Sequence, residues 1–190
     1  KEEHMVEPTT AGKKFDLQEY YTHPERYHST FEQYIPSFSI LMNCIFWSAQ
    51  YPRLLTKENI KNLFKIKEKP RLKVVGDISA DINGAIEFTE KTTSPDDPVF
   101  VYDPITDTIT DGYDGEGIVV MAVDNLPCEL PKESSESFSE ILSRFIPEIM
   151  NADFTASDFE KIALPAEIKN AVILYRGKLT PSYHYINKYL

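Results

Sequence analysis

Three nearly continuous apolar runs of strand length constrain this chain most: residues 38–47 (FSILMNCIFW), 72–78 (LKVVGDI) and 117–123 (GIVVMAV). Side chains of a strand point alternately to two faces, so a strand with one wet face alternates apolar and polar residues, and a run that does not alternate requires apolar surroundings on both sides. Each run is therefore expected to be a strand buried on both faces. Between the first two, Thr56 can cap a helix that carries Ile60, Leu63 and Phe64 on one side, and Pro70 separates that helix from the next strand. Strand, helix and strand with short connections form a parallel crossover, which places the chain in the α/β class.

Around this unit the patterns are more local. Asp16 is a candidate N-cap for a helix carrying Leu17, Tyr20 and Tyr21, interrupted at His23-Pro24 and followed by a short helix over residues 24–34. Residues 99–102 and 108–110 alternate and are joined by Asp103-Pro104-Ile105-Thr106-Asp107, the pattern of a surface hairpin, expected to lie over the sheet edge. After Pro131, residues Phe138, Ile141, Leu142, Phe145 and Ile149 recur at helical spacing, and Pro147 should kink or end that helix. A helix over 166–171, an extended 172–175, a turn at Gly177 and a last helix begun by Pro181 complete the reading. Three segments result: 1–36, a helical connecting piece; 37–130, the sheet; and 131–190, a long helix with a C-terminal extension.

Composition excludes several function classes. With 42% hydrophobic and 26% charged residues among 190, the chain is long enough for one ordinary core with room for a small second lobe, and is not a disordered tail. A net charge of -10 argues against nucleic acid as a partner, because that affinity needs clustered Lys and Arg to displace counterions. No run approaches the length of a membrane span, so no membrane association is expected. Cys44 and Cys128 belong to no CxxC pair or Cys/His cluster and are read as reduced thiols. The four histidines form no HExxH, and the acidic loop of Asp107, Asp111, Asp114 and Glu116 misses calcium-loop spacing, so no metal is expected. No G-x-S-x-G is present.

In open α/β sheets ligands bind beyond the carboxyl ends of the strands, where loops converge and main-chain amides are free. The stretches that follow the three runs are 46–53, 77–81 and 124–125. Asp77, Asp81 and Asp124 either cap turns there or face a ligand; Trp47 either stacks on a ring or packs into the core. No G-x-G-x-x-G occurs in the sequence, so the first phosphate-binding turn of a dinucleotide fold is not among these residues.

An ordered set of short motifs adds to this reading: His23-Pro24-Glu25-Arg26-Tyr27, Asn43-Cys44-Ile45-Phe46-Trp47, Pro52-Arg53-Leu54-Leu55-Thr56, Asp77-Ile78-Ser79-Ala80-Asp81, the stretch from Gly84 to Phe88, and Val123-Asp124-Asn125-Leu126-Pro127 with Leu130-Pro131 after it. Together they resemble the alanine dehydrogenase and transhydrogenase superfamily, and in particular its saccharopine-forming lysine-ketoglutarate reductase branch, over nearly the whole chain. The resemblance implies a partial Rossmann-like parallel sheet with flanking helices, plus C-terminal helices returning toward a substrate domain. It implies reduction by NADPH of the imine of L-lysine and 2-oxoglutarate, giving saccharopine. By position, Asp124 matches the active-site aspartate; Cys44, Ile45, Phe46, Trp47, Ile78, Ser79, Ala80, Asp81, Val123 and Asn125 match residues that line the cofactor. A carboxylate at Asp124 would stabilise a cationic iminium.

The same resemblance puts the glycine fingerprint, the residue choosing between NAD and NADP, and the Lys and His acid/base groups before Lys1. The partner is then the N-terminal half of the same enzyme, the compartment the mitochondrial matrix and otherwise the cytoplasm, and the isolated chain is expected not to turn over substrate. Lysine-forming saccharopine dehydrogenase and an alanine dehydrogenase-like enzyme remain alternatives. So does a non-catalytic interaction or oligomerisation module that uses its incomplete sheet edge and the long helix to bind the missing half or, as a homo-oligomer, another copy of itself.

Overall fold

The chain begins with a two-stranded ribbon and a capped helix before the main sheet starts. Strand β1 (Val6–Pro8) precedes α1 (Leu17–Thr22), whose N-cap Asp16 accepts the Glu19 main-chain N–H through Oδ1 at 2.8 Å. Residues 24–34 do not form the expected helix. A 3-10 turn (Pro24–Arg26) leads into β2 (Tyr27–Ser29), antiparallel to β1, and a second 3-10 stretch follows (Phe31–Ser37). The reason lies in packing: extended backbone turns Tyr27 inward to meet Val6 and Tyr20 in a small apolar cluster, a contact that helical propensity does not anticipate.

Then come β3 (Ile40–Asn43), α2 (Lys57–Ile66), β4 (Val74–Asp77), β5 (Val99–Asp103), β6 (Thr108–Asp111) and β7 (Ile118–Met121). This computed structural model describes residues 1–66 and 70–190 and divides into two compact units, Lys1–Glu129 and Leu130–Leu190. In the first unit the sheet order is β3-β4-β7-β5-β6. The three apolar runs are neighbours, and β3, β4 and β7 are parallel, as the crossover argument requires. Helix α2 starts with a reciprocal cap: Thr56 Oγ1 accepts the Asn59 N–H at 3.1 Å, and Asn59 Oδ1 accepts the Thr56 N–H at 3.0 Å.

Two expectations about this sheet are corrected. The hairpin β5–β6 does not lie over an edge; β5 pairs antiparallel with β7, so the hairpin extends the sheet and makes it mixed. Its tip is tied back to α2, where Asp107 accepts hydrogen bonds from Lys57 Nζ at 2.8 Å and Tyr102 Oη at 3.0 Å. Nor is the first run buried on both faces. Leu41 and Asn43 face the core with Val75, Val120, Phe100 and Tyr102, which pack against Ile60, Leu55, Ile86 and Phe88. Ile40 and Met42, on the opposite face, are 61% and 53% exposed, because β3 is an edge strand and nothing among the described residues covers them fully.

The second unit starts with α3 (Pro131–Ser143) and α4 (Ile146–Asn151). The expected long helix breaks a turn before Pro147, which instead occupies the first turn of α4, where a missing N–H costs nothing. After α5 (Ala166–Ala171), strands β8 (Leu174–Tyr175) and β9 (Lys178–Leu179) form a hairpin whose loop residues, Arg176 and Gly177, both have positive φ. The tail after Pro181 is a 3-10 stretch (Pro181–Tyr189).

Candidate functional site

Because β3, β4 and β7 are adjacent and parallel, their carboxyl ends share one edge of the sheet. Loops 44–47 and 78–81 are directly joined: the Ile78 N–H donates to the Asn43 carbonyl at 2.8 Å, and Ser79 Oγ donates to the Ile45 carbonyl at 2.7 Å. Residues 122–125 leave β7 on the other side of β4. Every sequence-predicted site residue therefore sits at this one edge. Their side chains are not equally available. Cys44, Asp81, Asp124 and Asn125 are exposed and Phe46 is 88% exposed, whereas Ile45, Trp47, Ile78 and Ser79 are half-buried. Ala80 and Val123 are buried.

Asp77 takes neither role foreseen for a strand-end carboxylate. Its side chain, 1% exposed, turns inward beneath the edge. Oδ1 accepts from Asn43 Nδ2 at 2.8 Å and Oδ2 from Thr89 Oγ1 at 2.6 Å, and both partners are also buried. Asn43 Oδ1 accepts the Ile45 N–H at 3.4 Å, so the network continues into loop 44–47. A buried carboxylate is tolerable only when its lone pairs are met, and each oxygen here has a donor. Above it the second loop is tightly wound: Ala80 and Asn83 both have φ near +50°, and the Gly84 N–H closes onto the Asp81 carbonyl at 2.9 Å. Such left-handed non-glycine residues persist only where surrounding contacts enforce them.

The flanks are also fixed. Trp47 donates Nε1 to the carbonyls of Tyr51 and Pro52, both at 3.1 Å, while the Arg53 guanidinium lies 5.1 Å from its ring centroid. Arg53 Nη1 in turn donates to the carbonyls of Asn83 and Gly84, linking the segment after β3 to the loop after β4. On the far side, Thr93 clamps the end of β7: its N–H donates to the Ala122 carbonyl at 2.9 Å, and its Oγ1 accepts the Ala122 N–H at 3.1 Å. Thr89, Thr93 and the Asn43–Asp77 contact escaped the sequence reading because both threonines lie in the segment read as a peripheral insertion. No grouping of three or more His, Cys, Asp or Glu able to hold a metal occurs among the described residues.

A partly parallel α/β sheet with three loops gathered at its carboxyl edge defines a ligand-binding domain of the Rossmann-like class. Comparison narrows the class. The alanine dehydrogenase/PNT C-terminal domain matches residues 13–182, and the chain belongs to that family. It is 42% identical over 185 residues to the alpha-aminoadipic semialdehyde synthase of Arabidopsis thaliana, covering 96% of this chain and 16% of that protein. The mitochondrial alpha-aminoadipic semialdehyde synthase of Bos taurus is 34% identical over 198 residues, covering 97% of this chain and 21% of the relative. Saccharopine dehydrogenase [NAD(+), L-lysine-forming] of Emericella nidulans is 32% identical over 120 residues, 59% of this chain and 28% of its own length. The chain thus spans about a fifth or less of the semialdehyde synthases it matches.

Proposed function

We propose that this chain is the nicotinamide-facing part of a pyridine-nucleotide-dependent oxidoreductase, the C-terminal portion of a lysine-ketoglutarate reductase that converts the imine of L-lysine and 2-oxoglutarate to saccharopine with NADPH. The observation that carries the reading is the exposed carboxylate of Asp124 at the same sheet edge as loops 44–47 and 78–81. The residues present suit a planar ring bearing an amide. Half-buried Ile45 and Ile78 offer apolar wall, Asn125 offers a side-chain amide, and Cys44 and Phe46 stand at the rim. The bound cofactor supplies the hydride.

Asp124 stabilises the positive charge of the iminium carbon–nitrogen unit and holds it in orientation, a role that grows in value as water is excluded. Residues 44–47 and 78–81, tied together through Ser79, form one wall and keep the ring from sliding along the edge. Binding of the pyrophosphate falls to the rest of the parent enzyme, since these 190 residues hold no G-x-G-x-x-G, and proton delivery falls to the acid/base groups that the resemblance places there. The N-terminal half of the same enzyme is accordingly the partner, and the mitochondrion the compartment, in keeping with the names of the mammalian relatives.

The test is Asp124→Asn in the parent-length enzyme, following NADPH consumption with L-lysine and 2-oxoglutarate. Loss of a preorganised charge at the reacting centre is expected to lower kcat by about 100-fold or more with little change in KM for NADPH. Unchanged kcat would remove Asp124 from the chemistry. A strong preference of the parent for NAD over NADP would favour instead the lysine-forming saccharopine dehydrogenase reading.

A further inference from the structure

At the end of β3, on the side of the ribbon, a cavity of about 350 Å³ opens beside loop 44–47. Its walls are the rings of Tyr20, Tyr21, Trp47 and Tyr51, with Phe46 at the mouth and Glu2 as the acidic member. Tyr20 sits at the centre of the cluster, with ring centroids 5.8 Å from Tyr21 and 5.3 Å from Tyr51. Tyr21 Oη donates to Glu2 Oε1 at 3.1 Å. Burial pushes the Tyr20 phenol up to about 12, with the neighbouring Tyr51 and Glu2 acting in the same direction, so it stays neutral while adding its oxygen to the group. Among the described residues, no Lys, Arg or His lines the cavity. The indole N–H of Trp47 is already spent on two carbonyls and the Arg53 guanidinium lies 5.1 Å from its ring centroid, so Trp47 offers a ligand the ring surface that Arg53 leaves open.

Aromatic faces carry negative charge at their centres, and a carboxylate at the rim of an aromatic-walled cavity adds to that field. A cavity of this kind, with a carboxylate and no Lys, Arg or His among its described lining residues, is complementary to an organic cation small enough to enter. We propose that the cavity formed by Tyr20, Tyr21, Trp47, Tyr51 and Glu2 is a binding site for a small-molecule alkylammonium group. The ammonium lies against the rings with Glu2 as its counter-charge, and the alkyl stem contacts Ile45 and Phe46. Ile45, Phe46 and Trp47 belong at once to this cavity and to the loop at the sheet edge, so occupancy bears directly on that loop. The inference rests on the cavity alone and holds whichever reaction the parent enzyme performs.

Trp47 is the sole tryptophan of the chain, so its emission reports occupancy directly. The 190-residue chain is titrated with n-butylammonium chloride at constant ionic strength, and in parallel with 1-pentanol, a neutral molecule of similar shape. The expected result is a saturable change in Trp47 emission with n-butylammonium and at least about tenfold weaker binding of 1-pentanol. Glu2→Gln, at a half-buried position that tolerates the amide, is expected to weaken ammonium binding about fivefold. Tyr51→Leu removes a wall but keeps the main-chain carbonyl that holds Trp47, and should weaken it by at least as much. Absence of a saturable signal up to about 50 mM, equal binding of the alcohol, or an unchanged affinity in Glu2→Gln would each overturn the proposal. Because the readout is fluorescence of this chain, its failure is separate from failure of the reductase reading.

Discussion

Thr89→Val isolates the contribution of one hydrogen bond to the buried network beneath the sheet edge. Valine has nearly the shape of threonine, so the change removes the hydroxyl without opening a cavity. Asp77 Oδ2 then loses its donor at 2.6 Å, in a site where the carboxylate is 1% exposed and water cannot readily replace it. Hydrogen bonds to charged groups contribute about 1.5–3 kcal/mol, and a buried acceptor left unpaired costs in the same range. With a urea dependence of about 2 kcal/mol per molar, the expected loss of about 2 kcal/mol moves the unfolding midpoint down by about 1 M. Urea titration followed by Trp47 emission measures it, since Trp47 lies in the same unit as Asp77. Thr89→Ser keeps the donor and should recover most of the loss. A Thr89→Val midpoint within about 0.2 M of the parent would show that Oδ2 does not depend on this donor, and the account of Asp77 would be wrong.

Three further outcomes are expected. Gly117 has φ of +142° and a side chain there would fall on the Tyr102 carbonyl, so Gly117→Ala should cost about 2–4 kcal/mol in thermal unfolding, against about 1–2 for Gly177→Ala, which has open space; equal losses would contradict the steric argument. Lys13, then Arg26, hold the Glu19 carboxyl down to about 2 against an ordinary 4.5, so the clasp's stabilisation is present above about pH 4.5 and fades as pH falls toward 2. NMR titration of that carboxyl should show the low value in the parent and a near-ordinary one in Lys13→Gln/Arg26→Gln. Finally, if the open edge and bare face of β3 act as an association surface, sedimentation should show mass rising with concentration in the parent and not in Ile40→Lys/Met42→Lys; a strictly monomeric parent would count against that role.

The elements legible in the sequence were those whose signals are local. Asp16 and Thr56 cap helices because a short oxygen-bearing side chain can reach an N–H three residues on, and that geometry is written in adjacent residues. The β3–α2–β4 crossover likewise follows from two apolar runs and one periodic segment. What escaped depends on neighbours distant in the chain. Periodicity cannot say that β3 would be an edge strand with Ile40 and Met42 uncovered, nor that β5 would enter the sheet beside β7. Residues 24–34 depart from their helical pattern because Tyr27 answers to Val6 and Tyr20 rather than to its own segment. At the candidate site, the loops after each strand could be named in advance. Asp77 could be named too, yet not its inward turn toward Thr89, which is 12 residues away through a segment without regular pattern.

The hairpin that widens the sheet has one effect that reaches beyond its own residues. It leaves β7 hemmed by β4 on one side and β5 on the other, with Thr93 fastening the end of the strand. A rib bolted along both sides fluctuates less than a margin, so its tip makes a fixed anchorage for the carboxyl group at position 124. The main chain of β7 beneath it should be among the slowest parts of the molecule to exchange its amide hydrogens with solvent.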